Sequence, residues 1–283
     1  MRNLPFIERS VRRSRVYGGR LLRSVGRQPL RYNCCFHHIP KSGGTSLSEA
    51  LHAVVPLNRH IGEVPANTTR RAASIFYSGL DDEIAFYDDG DRGAEVFSLR
   101  EKMLLAFMAN DCALVHGHIL FSQKADRHFG ERYKYVTMLR DPVSRVISNY
   151  RAAQRAGYVC DEFSVYLNTR IGRAHATHNL RYFSGRAFVE EADAAAALIE
   201  AKAAIDRFAV IGFVDAMDDF VSRFEEVFGA RLSIGRYNVG KSAPPEIAAD
   251  ERRRLEALCA ADIELHEYAM AAMARGADKA LAG

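Results

Sequence analysis

A lysine, two glycines and three hydroxyl residues are packed into His38-Ile39-Pro40-Lys41-Ser42-Gly43-Gly44-Thr45-Ser46-Leu47, between an apolar run and an amphipathic segment. That grouping suits the binding of phosphate or a similar anion. Gly43 and Gly44 permit a tight turn and a close approach of backbone N–H groups. A helix starting there turns its unsatisfied amides and partial positive charge toward the same point. Lys41 adds a full charge, while Ser42, Thr45 and Ser46 add hydroxyl donors. The lysine precedes the glycines, whereas in a Walker A loop it follows them. A nucleotide phosphate is therefore expected here, and an ordinary Mg-ATP site is the less expected reading.

A second junction, Tyr135-Val136-Thr137-Met138-Leu139-Arg140-Asp141-Pro142, also runs from an apolar stretch into a helix. Asp141 suits a helix cap and Pro142 the first turn. Val143, Val146, Ile147 and Tyr150 fall on one buried stripe, and Asp141, Arg145 and Ser148 on another face. Arg140 and Ser148 together offer a guanidinium and a hydroxyl for a second phosphate; the plain alternative is an Arg–Asp structural pair beside a surface serine. Val115-His116-Gly117-His118 ends a third apolar run. Residues two apart in an extended chain point the same way, so His116 and His118 are expected to face one cleft. His118 is the expected general base, since its ordinary pKa of about 6.5 suits proton transfer at neutral pH. His116 would orient the substrate or share that role. The alternative places one histidine in the core and the other in solvent. His37 and His38 end a nearby run, but no carboxylate or thiolate stands at ligand spacing, and no metal is expected.

The elements that must hold these groups follow from pattern. Apolar runs near Cys34–Ile39, Cys112–His116, Tyr135–Leu139 and Phe208–Phe213 read as strands. Helical patterns cover Thr45–Val55, Ser98–Ala109, Phe121–Phe129, Val143–Arg155, Asp193–Ile205, Asp218–Phe228 and Pro245–Ala274. Strands alternating with helices predict an α/β domain with a mainly parallel sheet and P-loop-like nucleotide-binding architecture. Lys41, His118 and Arg140 then lie just past the carboxyl ends of three strands, where open α/β sheets bind ligands. Segments 58–95 and 157–190 read as irregular, and substrate-binding loops are expected there.

The chain has 283 residues and a net charge of +4, with 48% hydrophobic residues, the composition of a globular protein. Residues 1–31 hold nine arginines against one acid, a local +8, which leaves 30 basic and 34 acidic groups (−4) in residues 32–283. The chain thus divides into an Arg-rich arm, 1–31, and an α/β body, 32–283. The arm lacks a secretory apolar core and reads as a partly disordered or short helical extension, a transit-like segment, or a polybasic arm for lipid headgroups or nucleic acid. The five cysteines show no CxxC spacing and are expected to be reduced. No stretch suits a membrane span. These features suggest a cytoplasmic, prokaryotic protein whose arm could place it at the inner face of the membrane.

The loop at 38–47 and the junction at 135–150 together resemble the paired signature of carbohydrate sulfotransferases. His116 and His118 are similar to the catalytic histidine segment of the 2-O-sulfotransferase branch and its bacterial relatives. Asn179-Leu180-Arg181-Tyr182-Phe183-Ser184-Gly185 and 208–229 are similar to downstream blocks, so the resemblance runs from Tyr32 to Leu265. It implies that Lys41, Ser42, Gly43, Gly44, Thr45 and Ser46 bind the 5′-phosphosulfate of 3′-phosphoadenylyl sulfate, and Arg140 and Ser148 its 3′-phosphate. It also implies that Lys241 and Ser242 close over the nucleotide. The Golgi members begin with a membrane anchor, which is not read here. The expected function is transfer of a sulfuryl group to a carbohydrate or glycolipid hydroxyl, with no metal required and no nucleic-acid partner. A nucleotide-dependent kinase and a non-enzymatic anion-binding module are the alternatives. Arg151, Arg155, Arg170, Arg173 and Arg181 are candidates to meet an anionic acceptor.

Overall fold

In a parallel sheet covered on both faces, strands read as near-continuous apolar runs, and four of the five strands of this chain do so. The structure, a computed structural model, describes residues 4–26, 28–235 and 247–281. Strands β1 (Asn33–His37), β2 (Ile61–Val64), β3 (Leu114–Gly117), β4 (Tyr133–Leu139) and β5 (Phe208–Phe213) form one sheet in the order β2-β3-β1-β4-β5. Every pairing is parallel, with Cys35 of β1 in register with Val115 of β3 and Tyr135 of β4. The protein is therefore α/β, with an all-parallel five-stranded sheet flanked by helices.

The helices, in chain order, are α1 (Leu4–Val25), α2 (Gly44–Ala53), α3 (Ala66–Ser78), α4 (Gly93–Ala109), α5 (Gln123–Phe129), α6 (Pro142–Arg155) and α7 (Phe163–Tyr166). They continue as α8 (Arg170–Ala176), α9 (His178–Ser184), α10 (Ala194–Ile205), α11 (Met217–Phe228), α12 (Ala249–Leu258) and α13 (Ala260–Leu281). Alternation in β1 divides the core. Cys34 and Phe36 pack with Leu47 and Leu51 of α2 and with Phe220, Phe224 and Phe228 of α11. Cys35 faces the other layer, with Leu104 and Met108 of α4, Leu180 and Phe183 of α9, and Ala197 and Ala201 of α10. Burying each such Leu or Phe is worth about 1.5–3 kcal/mol, so both faces hold the sheet against its helices.

Two expectations are revised. Segments 58–95 and 157–190 are not irregular, because they hold β2 and α3, and α7 to α9. β2 is four residues long and includes Gly62, where a Cβ would come within 2.4 Å of the Phe107 ring on α4. The glycine is there to let the helix approach, and it weakens the strand signal. The helix expected over 245–274 is instead two helices that meet at Cys259.

The arm is helical and docked. Arg20 of α1 donates to the carbonyls of Val55 (3.1 Å), Pro56 (3.3 Å) and Arg59 (3.1 Å), just past the end of α2. Gly19 lets the helices touch, since a Cβ there would lie 2.7 Å from the Ala53 carbonyl oxygen. Among the described residues no helix is long and apolar enough to cross a membrane.

Charges are buried behind the sheet's carboxyl edge. Asp88 accepts from Arg70 (2.7 and 3.2 Å) and from Arg100 (2.8 and 2.9 Å). Burial alone would raise the Asp88 carboxyl, but Arg100 and Arg70 hold it down at about 2. Its neighbour Asp89 takes His175 (3.0 Å), His178 (2.9 Å) and Arg181 (2.6 Å), and Asp262 takes Arg145 (2.8 Å) with the amides of Asn179 and Leu180 (2.8 Å each). Helices α8 and α9 thus carry charged residues on their inner faces, so no apolar stripe announces them. Asp88→Ala would leave two buried guanidinium groups unpaired and is expected to cost about 3–5 kcal/mol in urea unfolding. A loss below about 1 kcal/mol would mean that water replaces the carboxylate.

Candidate functional site

The direction of the crossovers reverses between β1 and β4, because β1 leads away toward β2 while β4 leads toward β5. At such a switch point the loops diverge and leave a crevice beyond the strands' carboxyl ends. Here the crevice is a cleft of about 1170 Å³. It is lined by Lys41 and Gly43 from the loop after β1, Gly44, Thr45 and Ser46 from the first turn of α2, His118 after β3, Arg140 just before α6 and Ser148 midway along it. Eight residues singled out by sequence, drawn from three separate junctions, therefore meet on one surface.

The loop after β1 is built to approach an anion. Lys41 has φ 63° and Gly43 φ 75°, both left-handed. That conformation costs a non-glycine residue about 1–2 kcal/mol, so the strain at Lys41 is held in place by its surroundings. Gly44 starts α2 directly beneath the His38 imidazole, where a Cβ would come within 2.0 Å of the ring. No side chain caps α2, so its first amides keep their donors. Ser42 is buried, and its Oγ has no hydrogen-bond partner among the described residues. By contrast α6 is capped, since Asp141 accepts from the Ser144 amide at 2.8 Å. At that junction the side chains of Arg140 and Ser148, rather than helix amides, face the cleft.

Positive charge is gathered on one wall of the cleft, at Lys41 and Arg140. Burial lowers the Lys41 amine, and Arg155 and Arg140 lower it further. Among the described residues no carboxylate stands within ion-pair distance of Lys41 or Arg140. Such a cluster of like charges is stabilised by an anion in the cleft. Across from it, Asp215, Asp218 and Asp219 line the wall formed by the loop after β5 and the first turn of α11. That wall, together with Leu232, Ile234 and Gly235, was not anticipated from sequence. The signal available was the position of β5, whose carboxyl end lies on the same edge of the sheet.

The two histidines separate. His118 lies beyond β3, lines the cleft, and stacks on His38 with ring centroids 4.5 Å apart. Its carbonyl accepts from Arg100 at 3.1 Å, and its Nδ1 is buried without a partner among the described residues. Burial first, then His38 and Arg100, holds its pKa well below the ordinary histidine value. His38 is likewise lowered, to about 4, by burial and then by Lys41. His116 does not face the cleft. It is 5% exposed inside β3 and its Nε2 meets Nε2 of His52, on α2, at 2.6 Å. The expectation that both rings share one surface fails because Gly117 (φ 150°) ends the strand, so the period-two alternation stops before His118.

Other candidates are placed elsewhere. Arg181 is fully buried on Asp89, so it cannot meet a ligand, and Arg145 lies buried on Asp262 instead of sharing an exposed face with Ser148. Arg170 stacks on Phe188 at 3.7 Å and Arg173 bonds the Asn168 carbonyl at 3.2 Å. Arg155 is exposed near Lys41. Lys241 and Ser242 lie outside the described residues.

Among the described residues, one group has metal-ligand proximity, namely Asp89, His175 and His178. Arg181 also reaches Asp89 at 2.6 Å, and Tyr87 and Tyr166 bond the two nitrogens of His175 at 2.9 and 2.7 Å. A guanidinium in the same shell opposes a dication, and the ring nitrogens are already occupied. The group reads as a structural network. No protein-family model matches the chain, and a search of the curated proteins finds no match.

His38 is held between Phe36 (5.6 Å) and His118 (4.5 Å), so it has little freedom to yield. Gly44→Ala is therefore expected to cost about 1–3 kcal/mol through overpacking, read as a lowered Tm. An unchanged Tm would show that the ring moves aside freely.

Proposed function

We propose that the protein is a sulfotransferase that moves a sulfuryl group from 3′-phosphoadenylyl sulfate to a hydroxyl of a carbohydrate or glycolipid. The observation that carries this reading is the meeting of Lys41 and its uncapped helix with Arg140 and Ser148 across one switch-point cleft. Two separate anion sites call for a ligand with two separated phosphate-like groups. A nucleotide carrying a 5′-phosphosulfate and a 3′-phosphate has that form, and the resemblance to carbohydrate sulfotransferases points to the same donor. The strand order and the loop after β1 fit a P-loop-like nucleotide-binding architecture. Drug-sized ligands fill pockets of about 300–1000 Å³, so a cleft of about 1170 Å³ has room for a nucleotide and part of an acceptor.

In this reading the first amides of α2 and the unpartnered Ser42 hydroxyl hold the 5′-phosphate. Arg140 and Ser148 hold the 3′-phosphate. The acceptor oxygen forms a bond to sulfur as the bond from sulfur to the bridging phosphate oxygen breaks. The electron pair stays on that oxygen, beside Lys41, and adenosine 3′,5′-bisphosphate departs. The acceptor's proton passes to His118, whose ring lines the cleft. His116 then acts only from beneath, through the packing of β3 against α2. Positioning and fixed charge supply most of the rate. The transferred sulfuryl group carries less negative charge than a terminal phosphoryl, and no metal is required in this scheme. The Arg100 contact to the His118 carbonyl makes Arg100 a positioning residue.

Purified protein, labelled donor and a panel of glycans test the assignment. Lys41→Ala and His118→Ala are expected to lose turnover by about 10²–10⁴-fold, His118→Ala with nucleotide affinity kept, while Arg140→Ala mainly weakens nucleotide binding. Thermal protection by Mg-ATP but none by adenosine 3′,5′-bisphosphate would replace this reading with a kinase. Full activity of His118→Ala would remove it as the base.

The pH profile gives a second test. The free enzyme's base is available above its pKa, and the surroundings of His118 hold that value well below the ordinary one. The acid limb of kcat/KM is therefore expected clearly below about pH 6.5, the unperturbed histidine value. A limb at or above that pH would assign the titration to another group.

A further inference from the structure

On a surface helix the apolar stripe normally faces the core, and on α1, which packs on α2, it faces outward. Val11, Tyr17, Leu21, Leu22 and Val25 are between 51% and 77% exposed. At about 100° per residue they fall within one sector of the helix, with only Ser14 and Gly18 between them. The opposite sector, with Val16, Gly19, Arg20 and Arg23, is turned toward α2 and its following carbonyls. The reversal has a local cause, because the surface beneath α1 offers the carbonyls of Val55, Pro56 and Arg59, and these recruit arginine. Exposed Arg13 and Arg15 border the apolar sector on its two sides.

We propose that α1 lies in the interface of an anionic lipid membrane, with its outward apolar stripe immersed and its bordering arginines at the headgroups. An apolar sector flanked by arginine on a helix too polar to span is the pattern of interfacial helices, which sink about 5–10 Å into the headgroup region. Residues 1–31 carry nine arginines and one acid, so an anionic surface complements them. A second copy of the arm would set +8 against +8 across the stripe. Nucleic acid would want arginines, not leucines, on the outward face. Because α1 is clamped to α2, which begins at the cleft, docking would hold the cleft close to the lipid surface. This inference does not depend on the catalytic reading.

The full chain is tested by flotation with phosphatidylcholine vesicles, with and without about one-third phosphatidylglycerol. Binding to the anionic vesicles alone is expected, and Leu21→Asp with Leu22→Asp should weaken it about tenfold or more, with Tm unchanged. The chain contains no tryptophan, so Leu22→Trp supplies a single reporter whose emission should shift to the blue on anionic vesicles and not on neutral ones. Failure of the wild type to float, or undiminished flotation of the double aspartate variant, overturns the proposal. So does a tryptophan that stays water-exposed, binding to a DNA duplex in place of vesicles, or a dimer that the aspartates split.

Discussion

The buried carboxylates Asp88 and Asp89 organise the side of the molecule on which the cleft opens. An ionised carboxylate in the interior is tolerated only when paired and hydrogen-bonded. Here the pairing draws in Arg70 from α3, Arg100 from α4, and His175, His178 and Arg181 from α8 and α9. Segments far apart in sequence are thereby tied to one short turn between α3 and α4. Arg100 carries the constraint into the site, because the guanidinium that satisfies Asp88 also bonds the His118 carbonyl. The position of the proposed base thus depends on an ion pair that never touches a ligand.

The cleft itself uses a different economy of charge. Burial lowers the Lys41 amine, and the neighbouring charges of Arg155 and Arg140 lower it further. The backbone adds strain at Lys41 and uncapped amides on α2. The gathered charge and the uncapped amides would both be stabilised by an anion, whereas the strain at Lys41 is held by the packing around it. The neutral, stacked pair of His38 and His118 completes the wall without adding to the repulsion. The net charge of the chain is a poor guide to this chemistry. Its excess resides in the Arg-rich arm, while the body that holds the cleft is mildly acidic.

Much of this was legible in the amino-acid order. The four longer apolar runs became β1, β3, β4 and β5, and the loop at 38–47, the cap at Asp141 and the stripe on α6 are local patterns with local causes. The placement of Lys41, His118 and Arg140 on one edge followed from reading those runs as parallel strands. Strand β2 escaped because a four-residue strand with a glycine for helix contact carries little pattern; α7 escaped because it is four residues long, and α8 and α9 because they bury charged side chains.

What the chain order could not determine is which charged groups are free. Arg145 and Arg181 look like Arg140 in sequence, yet they are consumed by Asp262 and Asp89, 117 and 92 residues away. His116 and His118 look equivalent, yet one is bonded to His52 under α2 and the other faces the cleft. Even the outward stripe of α1 depends on the carbonyls that happen to lie beneath it. Spacing dictates the direction of a side chain within its own element, so sequence alone determined four of the strands, the glycine-bearing loop after β1 and their common edge. Whether a charge meets a ligand or a buried partner depends on what the rest of the chain brings within about 3 Å, and that only the tertiary structure decides.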